Sequence, residues 1–160
     1  MNNHVNEDQE KLKQIITVFS DTACASVQAL FSKDAEVENA WSADKHMEIK
    51  QKYILIMGGA SDAYQSILTI GIDVDAIIEL LGQELSERDF SDTFGELANT
   101  FCGLLMDNTE FTDRFGILNQ TVPVLYTKGI PFLPFIFGVQ GYISINGKKI
   151  FIGFAIRKKN

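Results

Sequence analysis

The chain has 160 residues, of which 46% are hydrophobic and 22% charged, and this balance is typical of one globular domain. Its formal net charge of −7 and pI near 4.8 argue against a nucleic-acid-binding domain, which carries a basic patch or stripe. The polar N-terminus has no signal-peptide core, and the longest strongly apolar stretch, IPFLPFIFGV, is too short to cross a membrane. We therefore expect a cytoplasmic protein with no membrane or nucleic-acid partner.

The N-terminal part is predicted to be a tail followed by a long helix. Residues 1–10 are polar and are expected to form a flexible tail ahead of a single domain at residues 11–158, although helical spacing begins near Glu7. Apolar residues recur every three or four positions from Leu12 to Leu30, which predicts an amphipathic helix ending near Phe31. The mixed stretch AEVENAWSADKHMEIK is compatible with an irregular strand or a loop.

Two strands and two helices are predicted next. KYILIMGG and AYQSILTIGI are rich in strand-forming residues, and the GGASD link between them is short enough for a hairpin. Asp73 is placed to cap a short helix, VDAIIELL, which Gly82 ends. Ser86 is placed to cap a longer helix from about Glu87 to Met106, with an acid three residues later to favour its N-terminus.

The C-terminal part is predicted to be strands. RFGILNQTVPVLYTKG holds one or two short pieces, and Pro123 restricts that part to a sheet edge or a bulge. Asn146–Gly147 between two β-rich runs is a strong hairpin signal. This element order predicts an α+β fold in which two long helices cover one face of a largely antiparallel sheet.

The second long helix carries an unusual polar stripe. Phe90, Phe94, Leu97, Phe101, Leu104 and Leu105 share its apolar face. Asp92, Glu96, Asn99 and Gly103 recur at spacings of three and four on the opposite side. Gly95 and Gly103 flank this stripe, and each costs about 0.8–1.0 kcal/mol relative to alanine in a helix interior. A solvated surface gives no reason for that cost, whereas a docking face does, because glycine lets another chain approach closely.

On these residues the chain resembles the CheC/CheX family of chemotaxis phosphatases. The motif D-x-x-x-E-x-x-N within DTFGELAN, the glycine four residues after the asparagine, the lead-in DVDAIIELLGQELSERD and the strand TVPVLYTKG all match the family's pattern. The resemblance covers residues 12–157. One E-x-x-N element lies on a predicted helix, as in CheX, whereas CheC carries two, so CheX is the closer match.

The resemblance implies a function and a partner. The family hydrolyses the aspartyl phosphate of a CheY-type response regulator, which brings its own Mg²⁺ and lysine, so the phosphatase needs no cofactor of its own. Asn99 would then orient the attacking water, since an amide both donates and accepts hydrogen bonds and carries no charge. The family analogy gives Glu96 a salt bridge to the regulator's lysine. Asp92, Gly95 and Gly103 would contact the partner or give it clearance.

Other interpretations stay open at this point. A non-catalytic binding or adaptor module of the same fold would dock a receiver domain without hydrolysing anything. Asp92 is equally explained as an acid that favours the helix N-terminus. The resemblance also implies a homodimer joined through a sheet edge in GIPFLPFIFGVQGYISI, although an ordinary core strand explains that segment as well. A metal-dependent or Ser/Cys hydrolase is disfavoured, because His4 and His46 form no metal-spaced cluster and Cys24 and Cys102 fit small buried hydrophobes.

Overall fold

The computed structural model describes residues 2–44, 49–127 and 138–160, which form five helices and seven strands. The helices are α1 Asn2–Gln14, α2 Ile16–Phe31, α3 Val74–Leu81, α4 Glu87–Asp107 and α5 Thr109–Phe115. The strands are β1 Glu36–Asp44, β2 Tyr53–Ala60, β3 Tyr64–Ile72, β4 Asn119–Gln120, β5 Val124–Tyr126, β6 Gly138–Ile145 and β7 Lys148–Lys158. None of these helices is long and apolar enough to cross a bilayer.

The strands form one sheet in the order β1-β6-β7-β3-β2-β4, with β5 also paired to β2. Every pairing among these strands is antiparallel. The long central pair, β3 and β7, runs in continuous register from Tyr64 opposite Lys158 to Ile72 opposite Ile150. The short strands β4 and β5 form the sheet edge beyond β2.

The long helices α2 and α4 pack on one face of this sheet. Alternate residues of β7, among them Ile152 and Phe154, belong to the same buried core as the inner faces of these helices. The ring centroids of Phe19 on α2 and Phe154 on β7 lie 5.2 Å apart, and Phe90 on α4 stacks on Tyr53 of β2 at 4.7 Å. The predicted α+β architecture is therefore confirmed.

Local signals in the sequence placed several elements correctly. The hairpin β2–β3 and the hairpin β6–β7 form as expected, and the turn residues Asn146 and Gly147 both adopt positive φ. Gly82 ends α3 with φ +75°, which suits glycine. Ser86 caps α4, because its hydroxyl oxygen accepts the Asp89 backbone N–H at 3.1 Å.

Other features differ from the expectations. The segment 2–10, expected to be a tail, belongs to helix α1, where the buried Asp8 accepts a hydrogen bond from the Tyr64 hydroxyl at 3.1 Å. Asp73 does not cap α3 with its side chain, which instead accepts the Lys52 backbone N–H at 2.7 Å. Helix α5, capped by Asn108, was not predicted. The proposed dimer segment includes residues 129–137, which lie outside the described ranges.

Candidate functional site

Helix α4 is held to the fold by its apolar face. The aromatic and aliphatic side chains Phe90, Phe94, Leu97, Phe101 and Leu105 are buried. Phe94 stacks on Phe90 with ring centroids 4.5 Å apart and contacts Phe31 of α2 at 5.8 Å. These contacts fix the rotation of α4 about its own axis, and so they decide which side chains face outward.

The opposite side of α4 exposes the predicted polar stripe, which consists of Asp92, Glu96, Asn99 and Gly103. Within residues 2–44, 49–127 and 138–160, no hydrogen bond or ion pair engages the side chains of Asp92, Glu96 or Asn99. Residues three and four apart are neighbours on a helix surface, so the stripe spans about three turns. The stripe therefore presents two carboxylates and one amide whose bonding capacity is open to another molecule.

Asp92 lies beyond the part of α4 where an acid favours the helix dipole. The first turn already contains Glu87 and Asp89, whereas Asp92 is the sixth residue of the helix. The interaction of a charge with the helix terminus falls off within the first turn. The dipole explanation of Asp92 is therefore weak, and its position one turn before Glu96 places it in the stripe.

The two glycines of α4 have different surroundings. Gly103 is exposed, and a Cβ added there would meet no atom within 4 Å, so it leaves open space beside the stripe. Gly95 is buried instead, because Pro123 covers it: the Cγ of Pro123 would lie 3.6 Å from a Cβ at position 95. The clearance for a partner that we expected at Gly95 is thus filled by the protein's own chain, which corrects that expectation.

Residues 121–124, which we call the edge segment, lead from the end of β4 into the first residue of β5, and Pro123 among them contacts α4. β2 pairs Gly59 with Gln120 and Ile56 with Val124, so β2 has two residues between these pairs and the opposing chain has three. The prediction that Pro123 lies at a sheet edge or a bulge is therefore confirmed, since this bulge lies at the edge of the sheet. It seats the proline on Gly95 and leaves Val122 exposed. The sequence predicted a sheet edge or a bulge at Pro123, but it gave no signal for the contact with α4.

Neither cysteine has the lowered pKa that is typical of a reactive thiol. Burial raises the pKa of Cys102 to about 12, so its thiol stays protonated at neutral pH. Burial, and to a lesser extent Asp21, raises the pKa of Cys24 as well. In the described part of the chain, no group of three His, Cys, Asp or Glu residues is placed to hold a metal ion. His46 falls outside the described ranges.

Comparisons with known proteins give structural relatives. The sequence matches no protein-family model and no curated protein. The fold is similar to that of a chemotaxis protein CheX from Desulfovibrio desulfuricans, with a TM-score of 0.71 and 11% identity over 90% of this chain and 99% of that one. It is also similar to the CheX–CheY–BeF3–Mg²⁺ complex from Borrelia burgdorferi, with a TM-score of 0.55 and 18% identity over 87% of this chain and 95% of that one.

A third structure of similar fold comes from a protein named FliM instead of CheX. The FliM middle domain from H. pylori matches with a TM-score of 0.67 and 11% identity over 93% of this chain and 91% of that one. The chain therefore has the fold of CheX and CheC-like chemotaxis proteins, and FliM has a similar fold. Since proteins of one fold differ in activity, the function must be argued from the residues of the site.

Proposed function

We propose that this protein is a phosphatase that hydrolyses the aspartyl phosphate of a CheY-type response regulator. The observation that carries the proposal is the joint exposure of Glu96 and Asn99 on one face of a helix whose other face is buried. The resemblance of this motif to that of CheC and CheX phosphatases supports the proposal. A solved relative of the same fold, CheX from Borrelia burgdorferi, is in complex with CheY, BeF3 and Mg²⁺, which supports the choice of partner.

Asn99 would position the attacking water. Phosphoryl transfer depends mainly on alignment and charge stabilisation, so a hydrolase of this class needs no covalent nucleophile of its own. The Asn99 amide can accept a hydrogen bond from water through its oxygen and donate one through its nitrogen, and it brings no negative charge towards the phosphoryl oxygens. Its exposure on α4 allows it to reach into a pocket on another protein.

Glu96 would set the orientation of the partner. It is exposed one turn from Asn99 and has an ionisable carboxylate that can pair with a lysine of the response regulator. In this scheme the Mg²⁺ belongs to the substrate, where it is held by the regulator's own residues. Asp92 and the open surface at Gly103 would complete the contact, and the protein would act in the cytoplasm as a homodimer.

The test is phosphate release from a CheY-type receiver that has been phosphorylated with acetyl phosphate in the presence of Mg²⁺. Asn99→Ala should reduce the rate by about 10²–10³-fold, as expected for a lost transition-state contact. The same change should leave stability unchanged or raise it by a few tenths of a kcal/mol, because alanine is the better helix former at an exposed position. Near-normal turnover by this variant would refute the mechanism.

A non-catalytic docking module is the second candidate, and the similar fold of the FliM middle domain favours keeping it in the test. A module of this kind would bind the phosphorylated receiver without accelerating phosphate release. The phosphatase predicts release from the receiver and none from a small phosphoester such as p-nitrophenyl phosphate. Binding without any acceleration would support the module and overturn the phosphatase.

A further inference from the structure

In the described part of the chain, exposed large hydrophobic residues are most frequent around the short edge strands β4 and β5. Seven large hydrophobic residues are exposed in the described part of the chain, and four of them lie between positions 117 and 126: Ile117, Val122, Val124 and Tyr126. Val122, at 81%, is the most exposed of the seven. Single exposed hydrophobic residues are common on protein surfaces, whereas a contiguous group of them often marks an interaction surface.

Two anchors hold Val122 in its exposed position. On one side of it, Thr121 donates its backbone N–H to the Gly58 carbonyl at 2.9 Å, and its hydroxyl accepts the Gly58 N–H at 3.2 Å. On the other side, Pro123 packs on Gly95 of α4 and restricts the backbone. The valine thus lies on a constrained backbone segment, and a constrained surface loses less conformational entropy on binding than a free loop.

The edge segment lies next to the side of the polar stripe that carries Asn99. Gly95 and Asn99 are one helical turn apart and differ by about 40° around α4, whereas Gly95 and Glu96 differ by about 100°. Because Pro123 sits on Gly95, the edge segment meets α4 on the side of the helix closer to Asn99 than to Glu96. The edge segment therefore borders α4 through Pro123. Val124 and Tyr126 pair with residues of β2 that face away from the helices, so these two exposed side chains do not join the polar stripe.

The stripe alone is too small for a protein partner. A typical specific interface covers about 800 Å² on each side and combines an apolar centre with a polar rim. A folded domain whose phosphorylated aspartate reaches Asn99 must also cover the surface around it. Val122 is suited to supply the apolar part of that surface, because it is the most exposed large hydrophobic residue in the described part of the chain and directly precedes the proline that packs on α4.

We propose that the edge segment, through Val122, is a second contact surface for the receiver domain that presents its aspartyl phosphate to Asn99. This inference rests on the proposed function, because it assigns additional affinity to the same partner. Val122 would contribute to the affinity for the receiver and would take no part in the chemistry. The acceptor surface on the receiver would be apolar and next to its phosphorylation site.

The test compares Val122→Ser with Val37→Ser, a matched change of an exposed valine on β1 at the opposite end of the sheet. The dissociation constant is measured for a CheY-type receiver loaded with beryllofluoride and Mg²⁺ as a mimic of aspartyl phosphate. Val122→Ser should raise this constant about 5- to 20-fold and raise KM similarly, with kcat within about twofold of wild type. Val37→Ser should change none of these quantities.

The outcomes separate this inference from the proposed function. If Asn99→Ala abolishes hydrolysis but Val122→Ser binds the receiver as wild type does, the inference is wrong and the proposed function stands. If Asn99→Ala keeps its activity but Val122→Ser weakens binding, the proposed mechanism is wrong and the docking surface stands. Equal effects of Val122→Ser and Val37→Ser would overturn the assignment of this surface, and failure of the wild type to bind any CheY-type receiver would overturn both proposals.

Discussion

Pro123 packs on Gly95, with its Cγ 3.6 Å from the position that a Cβ on Gly95 would occupy. The contact joins the bulged edge of the sheet to the helix that carries Glu96 and Asn99. It also shows that the two glycines of α4 serve different purposes, since Gly103 faces open space. Gly95 accommodates a neighbouring segment of the same chain, whereas Gly103 leaves room for a partner.

This difference predicts opposite responses to a large side chain at positions 95 and 103. Gly95→Ala places its Cβ at an ordinary contact distance from Pro123, so the gain in helix propensity should raise the free energy of unfolding by about 0.8–1.0 kcal/mol. Gly95→Leu must displace Pro123, so it should lower the free energy of unfolding by about 1–3 kcal/mol. Urea denaturation followed by circular dichroism measures both changes.

Position 103 is the matched control for that experiment. Gly103→Leu meets no neighbour within 4 Å of its Cβ, so it should keep or increase stability, unlike Gly95→Leu. The same variant should weaken binding of a beryllofluoride-loaded receiver, because the added side chain occupies the open space beside Asn99. A loss of stability at position 103 equal to that at 95 would contradict the distinction between the two glycines.

Glu96→Gln tests the proposed ion pair with the receiver. The change keeps the shape of the side chain and removes its charge, so we expect affinity for the receiver to fall about 10-fold or more, as for one partner of an interfacial charge pair. The wild-type affinity should decrease as the salt concentration rises, and the variant's should decrease less. Titrations at several NaCl concentrations measure both effects.

Glu110→Gln provides the control, because Glu110 is an exposed glutamate on α5 and lies outside the stripe. Its removal changes the net charge by the same amount. An equal loss of affinity in this variant would mean that Glu96 acts only through the overall charge of the protein. A loss restricted to Glu96→Gln would support a specific pairing.

Gly141 and Trp41 make a second close approach, on β6 and β1. A Cβ on Gly141 would overlap atoms of the Trp41 ring, and the indole N–H donates to the Tyr142 carbonyl at 3.0 Å. Gly141→Ala should therefore lower the free energy of unfolding by about 1–3 kcal/mol or more. In a Trp41→Ala background, Gly141→Ala should lower the free energy of unfolding far less than it does in the wild type, because the overlapping ring is absent. Additive losses in the double variant would refute this account.

The contact between Asp8 and Tyr64 predicts a dependence of stability on alkaline pH. Burial, with a smaller contribution from Asp8, raises the pKa of Tyr64 above its ordinary value of 10.0. A raised native pKa stabilises the fold below the unfolded pKa, and this contribution is lost as pH rises through the native pKa. The melting temperature should therefore fall above about pH 10, and Tyr64→Phe should show a shallower fall.

At neutral pH, Tyr64→Phe should lower the free energy of unfolding by about 1–3 kcal/mol, since it leaves the buried Asp8 without its hydroxyl donor. Tyr126→Phe, which removes a hydroxyl from an exposed ring, serves as the control and should keep its neutral stability. Identical melting curves for wild type and Tyr64→Phe at neutral and alkaline pH would show that the contact does not fasten α1 to the sheet.

The sequence predicted those features that local periodicity and capping specify. The spacing of Phe90, Phe94 and Leu97 gave the buried face of α4, and hence the exposure of Glu96 and Asn99, because a helix repeats every 3.6 residues. Asn146–Gly147 and the hydroxyl of Ser86 marked a hairpin and a helix start through short-range chemistry. These signals need no knowledge of the rest of the chain.

Features that depend on contacts between distant residues were missed. The polar composition of residues 1–10 suggested a tail. In the structure residues 2–10 belong to helix α1, where Asp8 is hydrogen-bonded to Tyr64, 56 positions later in the chain. Asp73 had two possible backbone donors, its own helix and Lys52, and the sequence could not choose between them. In each case the decision rests on which groups are brought together when the sheet forms.

The sequence by itself therefore determined the α+β architecture and the outward polar stripe of α4, because both follow from the repeats of helices and strands. Only the tertiary structure decided what lies beside that stripe. It placed Pro123 on Gly95, left Gly103 open and exposed Val122 next to that proline. The reason is physical: a periodic pattern fixes the face on which a side chain lies, whereas its neighbours are fixed by packing between segments far apart in the chain.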